Sequence, residues 1–227
     1  MSRQLKIGIG TGWMIVILLA CAAGIKAQVI KGAIIAGFNL SQVDGDEIYG
    51  FKKFGANVGA SAIIPLADHW EVSLETLFSQ KGSRQGPQRD DSISGEYKLK
   101  LNYLDIPLVV HYNDKDRLMF GLGFSYGRLT SVEEYEHGRR IETTTLDGPY
   151  ARDDINAIAD IRFRIYKGLK FNVRYAYSLK KIRTREYSPP NVDPWKRDQF
   201  NNFWSFRMVY VINEKQSERI KNENPPN

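Results

Sequence analysis

The sequence predicts an all-β protein, an eight-stranded antiparallel up-and-down transmembrane β-barrel preceded by an export signal. Three observations carry that expectation. From Gln28 onward apolar residues recur at every second position, the period of a strand with one apolar face. The connections between these strands alternate strictly between long and short. The polar face of the strands carries acids and arginines in balance, which suits an enclosed lumen better than a solvated surface.

Composition alone points elsewhere. The 227 residues hold 32 Lys+Arg against 26 Asp+Glu, with 42% apolar residues and one cysteine, and the mean hydropathy is −0.40. Those values exclude a polytopic helical membrane protein, which needs several apolar runs of about 18 or more residues. They also exclude an internal disulfide framework and wholesale disorder. A barrel survives this filter, because its strands are apolar only at alternate positions and its outer loops are polar.

The N-terminal segment, residues 1–27, reads as a signal peptide. Arg3 and Lys6 precede an uncharged stretch from Ile7 to Ile25 centred on Trp13-Met14-Ile15-Val16-Ile17-Leu18-Leu19. A basic start, an apolar centre and a small residue at the break are the marks of export, with cleavage between Ala27 and Gln28. Two rivals are acylation at Cys21 within Leu18-Leu19-Ala20-Cys21 and an uncleaved anchor helix. Cleavage removes Arg3, Lys6 and Lys26, which takes the net charge from +6 to +3 and removes the cysteine. The basicity therefore gives little support to a nucleic-acid partner.

The barrel is expected over residues 28–212. Its clearest strands are Trp70-Val72-Leu74-Thr76-Phe78, Leu118-Phe120-Leu122-Phe124-Tyr126, Ile155-Ala157-Ala159-Ile161-Phe163-Ile165, Leu169-Phe171-Val173-Tyr175-Tyr177-Leu179 and Trp204-Phe206-Met208-Tyr210-Ile212. Val29–Gln42, Lys52–Ile64 and Tyr97–Tyr112 complete the eight, and no helix is expected. The connections Val43–Phe51, Gly82–Glu96, Ser131–Asp153 and Arg183–Gln199 are long, and Pro65–Asp68, Asn113–Asp116 and Lys167–Gly168 are short. Short periplasmic turns and long outer loops produce that rhythm.

In a membrane the apolar face points outward, so the polar set should fill the lumen. It contains Glu71, Glu75, Asp105, Asp160, Arg162, Arg164, Arg174 and Arg207, an expected interior charge network. Gly37, Gly55, Gly59, Gly121 and Gly123 would leave room for these long side chains. An eight-stranded lumen is just wide enough for side chains to fill it, so no open pore is expected. Trp70 and Tyr112 beside short turns, and Phe78, Tyr126, Tyr177 and Trp204 toward the long loops, suit two interfacial girdles. One segment changes phase: in Tyr97–Tyr103 the apolar residues are odd-numbered, whereas in Leu104-Ile106-Leu108-Val110 they are even-numbered. Either a bulge near Tyr103 switches the facing, or the upper half projects beyond the bilayer as an extended hairpin.

Gly37–Asp46, Glu75–Ser83 with its Phe78-Ser79-Gln80-Lys81-Gly82-Ser83, Tyr103-Leu104-Asp105-Ile106-Pro107-Leu108 and Gly121–Gly127 together resemble the PorT-like outer-membrane barrel family of the Bacteroidota. The resemblance covers nearly all of Gln28–Ile212. It implies the fold, a place in the cell outer membrane, and an accessory role in type IX protein secretion or outer-membrane assembly, with secretion-machinery proteins as partners. The charged tail 213–227, expected in the periplasm, departs from the family's pattern of ending on the last strand.

Candidate chemistry is sparse. His69 and His111 beside short turns read as two polar groups at the periplasmic mouth, since two histidines lack the third or fourth ligand of a zinc site. His137 reads as a solvated loop residue. A lipid A deacylase or a barrel protease would need a histidine at the outer strand ends, so no enzyme, catalytic residue or cofactor is expected. Arg183, Arg185, Lys196 and Arg197, around the stiff Pro189-Pro190 and Pro194-Trp195 turns, are candidate outer-rim contacts for lipopolysaccharide phosphates or an acidic partner. The opposing functional expectation is a surface adhesion or ligand-binding barrel that works through its extracellular loops.

Overall fold

A computed structural model describes residues 30–86, 96–114, 117–146, 148–188 and 193–213. Cys21, Ala27 and Gln28 of the expected signal region, the Pro189-Pro190 turn, and residues 214–227 of the tail lie outside the described residues. The strands are β1 (Lys31–Asp44), β2 (Lys53–Pro65), β3 (Trp70–Lys81), β4 (Arg84–Gln85), β5 (Tyr97–Asp114), β6 (Leu118–Glu136), β7 (Arg139–Ile141), β8 (Asp153–Tyr166), β9 (Leu169–Ser178), β10 (Arg183–Tyr187) and β11 (Trp195–Val211). Eight of them close a ring, β1–β2–β3–β5–β6–β8–β9–β11, and every pairing is antiparallel. Closure leaves no unpaired edge within the ring, which is the condition for crossing hydrocarbon with strands. The short β4, β7 and β10 extend the hairpins on the long-loop side.

Burial alternates along each wall with the inside-out sense expected in lipid. On β6, Phe120, Leu122, Phe124 and Tyr126 are exposed, while Gly121, Ser125 and Gly127 between them are buried. The exposed row Leu104-Ile106-Leu108-Val110-Tyr112 on β5 spans eight residue steps. At about 3.4 Å per residue and a tilt of about 40°, such a row covers about 20 Å along the membrane normal. Tryptophan and tyrosine mark both margins. Trp70 meets Tyr112 edge to face at 5.2 Å near the short turns, and Tyr175 meets Trp204 at 5.0 Å toward the long loops.

The phase change on β5 has a specific resolution. Odd-numbered residues of β5 are buried from Tyr97 to His111, so its facing never switches. What changes is the medium outside the wall. Beside lipid the even-numbered outward residues are apolar, whereas beyond the belt they are Lys98 and Lys100 and the apolar residues turn inward. The register does slip between Asn102 and Tyr103, but the extra residue is Thr130 of β6, whose hydroxyl donates to the Asn102 carbonyl at 2.9 Å. The buried set on β6 therefore passes from odd-numbered Leu129 to even-numbered Val132 and Glu134.

Three expected loops are corrected by the same extension, one of them Gly82–Glu96, which contains β4. Ser131–Asp153 contains the end of β6 and all of β7, and Arg183–Gln199 contains the β10–β11 hairpin, with Arg183 opposite Gln199 and Tyr187 opposite Trp195. Above the belt the wall has water outside and an ordinary apolar core inside, where Val43, Tyr97, Leu99, Leu101, Tyr103, Leu129, Val132, Tyr150 and Ile182 pack together.

Candidate functional site: a charged lumen beneath an outer crown

The lumen is built from register. Glu71, His111, Gly121, Asp160 and Arg174 lie opposite one another in a row across β3, β5, β6, β8 and β9. Gly121 has no side chain between its neighbours, so His111 Nε2 reaches Asp160 Oδ1 at 3.0 Å across it. A Cβ at Gly121 would lie 2.6 Å from His111 Cδ2 and closer still to Asp160 Oδ1. Gly127 repeats the device between Asp105 and Asp154, and Lys81 Nζ bridges these two acids at 3.2 and 3.1 Å.

Glu75 is the centre of the lower cluster. Arg174 grips both its oxygens, each at 2.9 Å, from β9, the wall four strands away in either direction around the ring. Arg162 donates to Glu75 Oε1 at 2.8 Å and Arg207 to Oε2 at 3.0 Å. Arg174 also donates to Asp160 at 2.7 Å, and Asn172 Oδ1 accepts from two nitrogens of Arg207. These groups are all buried. Two acids and three arginines give the lower cluster +1, and two acids with Lys81 give the upper one −1, so the pair is neutral. Charge taken out of water survives only with such partners.

Of the eight expected network residues, Glu75, Asp160, Arg162, Arg174 and Arg207 meet in one cluster. Asp105 belongs to the second. Glu71 is buried in the same row as His111, and Arg164 is half-buried toward the short-turn end. Lys81, Asp154 and His111 join the interior beyond that expected set. The two histidines do not share a rim: His111 is enclosed in the lumen, whereas His69 is exposed and bonds the Asn113 carbonyl at 3.0 Å.

Above the belt the crown is tied by a second set of polar contacts. Glu134 accepts from Tyr97 at 2.9 Å, from Tyr150 at 3.0 Å and from Arg183 at 3.0 and 3.2 Å. Burial, then the nearby Glu134 carboxylate, pushes the Tyr150 hydroxyl well above the usual tyrosine range. Of the expected rim cations, Arg183 is held in this knot, and Arg185 pairs with Glu136 at 2.6 Å between the rings of Tyr97 and Tyr187. Lys196 faces Glu186 at 3.4 Å and Arg197 faces Glu47 at 3.8 Å, both exposed. Each of the four therefore has a carboxylate neighbour.

Two clefts open among the outer hairpins. One, of about 320 Å³, lies between Asp46, Tyr97, Glu136, Arg185 and Tyr187; the other, of about 350 Å³, lies between Glu134, Thr143, Pro149 and Arg183. Asp46 is 5% exposed. Burial pushes its carboxyl up to about 6, against the opposing effects of Ser83, the Ile48 N–H and Arg185. Among the described residues no group of three or more His, Cys, Asp or Glu side chains is arranged to hold a metal ion.

Residues 30–183 match the family described as "Outer membrane protein beta-barrel domain", a grouping coarser than the PorT-like resemblance. None of the curated proteins matches. Among solved structures, similar chains include the attachment invasion locus protein Ail of Yersinia pestis, at 14% identity and a TM-score of 0.47, covering 81% of this chain and 99% of that one. Neisserial surface protein A is similar at 8% identity and 0.45, covering 80% and 97%. A major outer membrane protein from Thermus thermophilus is similar at 11% and 0.44, covering 81% and 100%.

Proposed function

The chain belongs to the outer-membrane β-barrel domain family and is an outer-membrane protein, and from that premise we propose that it is a non-enzymatic, non-conducting barrel that acts as a binding surface through its outer crown. One observation carries the reading. The lumen is filled from wall to wall by the Glu75 and Lys81 clusters and closed above them by the apolar set around Leu99 and Leu101, while the hairpins continue beyond the belt and open two clefts there. A solute has no route through such an interior, and the accessible polar surface is on the outside. Small barrels of this width fill their lumen with side chains, so function passes to the loops.

A second reading is an accessory role in type IX secretion or outer-membrane assembly. It is favoured by the resemblance of Phe78–Ser83 and Tyr103–Leu108 to the PorT-like family. Deletion of the gene separates the two. Normal secretion with altered surface binding supports the crown as a ligand-binding or adhesive surface. Loss of secreted cargo, restored by the wild-type chain, supports the export role and overturns the first reading.

A further inference from the structure

The outer margin of the barrel is electrically lopsided. On the β1–β11 flank the residues just above the belt are Gln42, Asp44 and Asn202, tied by Gln42–Asp44 and Asn202–Asp44 hydrogen bonds at 2.8 and 3.2 Å. On the β4–β5 flank they are basic. Arg84 lies opposite Lys98 in the β4–β5 pairing, and Lys100 lies two residues further along the same outward face. Lys53 of β2 is buried behind them, its ammonium donating to the Phe54 carbonyl at 2.6 Å, and it lies in the field of Lys100, Lys98 and Arg84. Glu133 pairs with Lys100 at 3.3 Å and Glu96 with Arg84 at 3.6 Å. Among the described residues no carboxylate pairs with Lys53 or Lys98, so four cations meet two acids.

The height of this cluster is fixed by the strand. Lys100 stands four positions above Leu104, the last belt residue, which is about 13 Å along β5 and about 10 Å along the normal. Phe78, exposed and opposite Leu104, marks the hydrocarbon beneath it. The headgroup layer outside the hydrocarbon is about 5–8 Å deep on each side, and a lysine stem reaches down several ångströms with its ammonium kept in the polar layer. Lys100 thus stands at headgroup level, with Lys98 and Arg84 about 5 Å further out, and these three face sideways, along the membrane rather than into the crown.

We infer that the outward face formed by Arg84, Lys98 and Lys100, backed by Lys53, is a binding site for the phosphate groups of a phosphorylated glycolipid headgroup in the outer leaflet. The site is separate from the crown residues Arg183, Arg185, Lys196 and Arg197 and does not depend on what they bind. Several closely spaced cations suit a headgroup carrying more than one phosphate, because neighbouring ammonium and guanidinium groups relieve their mutual repulsion by sharing the anion. The acidic flank around Asp44 would repel the same group.

The test uses the full chain folded in detergent micelles doped with bis-phosphorylated lipid A or with its dephosphorylated counterpart, with retention of lipid read by native mass spectrometry. Wild type should retain the phosphorylated lipid at least tenfold better. The variant Arg84→Gln/Lys98→Gln/Lys100→Gln should lose about tenfold, and Lys196→Gln/Arg197→Gln should match wild type. The unboiled gel shift of the folded barrel checks that each variant has folded. Equal retention of the two lipids, or undiminished retention by the folded triple variant, overturns the inference. So does binding of inorganic phosphate alone as tightly as the lipid, which would make this a free-anion site.

Discussion

Replacing Glu75 by glutamine removes the one carboxylate that three arginines share. The wild-type side chain accepts four hydrogen bonds of 2.8 to 3.0 Å from Arg162, Arg174 and Arg207, and all four side chains are buried. Without it Asp160 alone faces three guanidinium groups, so the lower cluster passes from +1 to +2. Leaving buried charge uncompensated costs about 3–5 kcal/mol. Urea titration in lipid vesicles, followed by the fluorescence of Trp70 and Trp204 at the two margins, measures the loss. With a slope of about 1–3 kcal/mol per molar urea, the midpoint should fall by about 1–5 M. A paired change, Glu75→Leu with Arg174→Met, should cost less than Glu75→Leu alone, because apolar replacement of both partners is tolerated where removal of one is not. A loss below about 1 kcal/mol for Glu75→Gln, or full additivity in the pair, would refute the view that this cluster pins opposite walls together.

Gly121→Ala should destabilise the barrel by about 1–3 kcal/mol, because the new methyl group collides with the His111–Asp160 pair and overpacking forces neighbours off their positions. Gly86→Ala, where a Cβ meets nothing within 4 Å among the described residues, should be neutral in the same titration. Asp46 makes the crown loop pH-sensitive. Its folded pKa of about 6 lies above the ordinary 3.8, so below about pH 4 both folded and unfolded forms are protonated and the group contributes nothing. Between about pH 4 and 6 the unfolded form ionises first and stability falls; above 6 the penalty is complete, at most about 3 kcal/mol. The hydrogen-exchange protection of residues 45–52, corrected for the intrinsic rise of exchange with pH, should fall across that window in wild type and stay flat in Asp46→Asn.

The belt is legible because lipid enforces a simple rule on it. In Leu118–Tyr126 every outward residue must be apolar, so period two stands out, and the eight walls follow from eight such rows. Above the belt that rule lapses. Arg183–Tyr187 and Trp195–Gln199 have water outside, carry charges on both faces, and read as loop although they pair as a hairpin. The acids and arginines of the lumen are visible as a set, but their partners are not, since Glu75 meets Arg174 and Arg207 only when the ring closes. Lys81 and Asp154 escape the pattern because each sits at the margin of a predicted strand, beside Gly82 and Asp153. His111 resembles a rim residue by its nearness to a turn; the inward phase shared with Glu71 and the gap at Gly121 are the signals that place it in the lumen. Arg183 reads as an outer-rim contact because Glu134 and Tyr150, which hold it, come from a distant hairpin.

The sealed lumen is the claim on which the function rests, and planar-bilayer recording of the purified full chain addresses it most directly. With the Glu75 and Lys81 clusters packed across the interior and the apolar set above them, the barrel should show no steady open-channel current at moderate voltage. A stable, reproducible conducting level that scales with salt concentration would contradict the account.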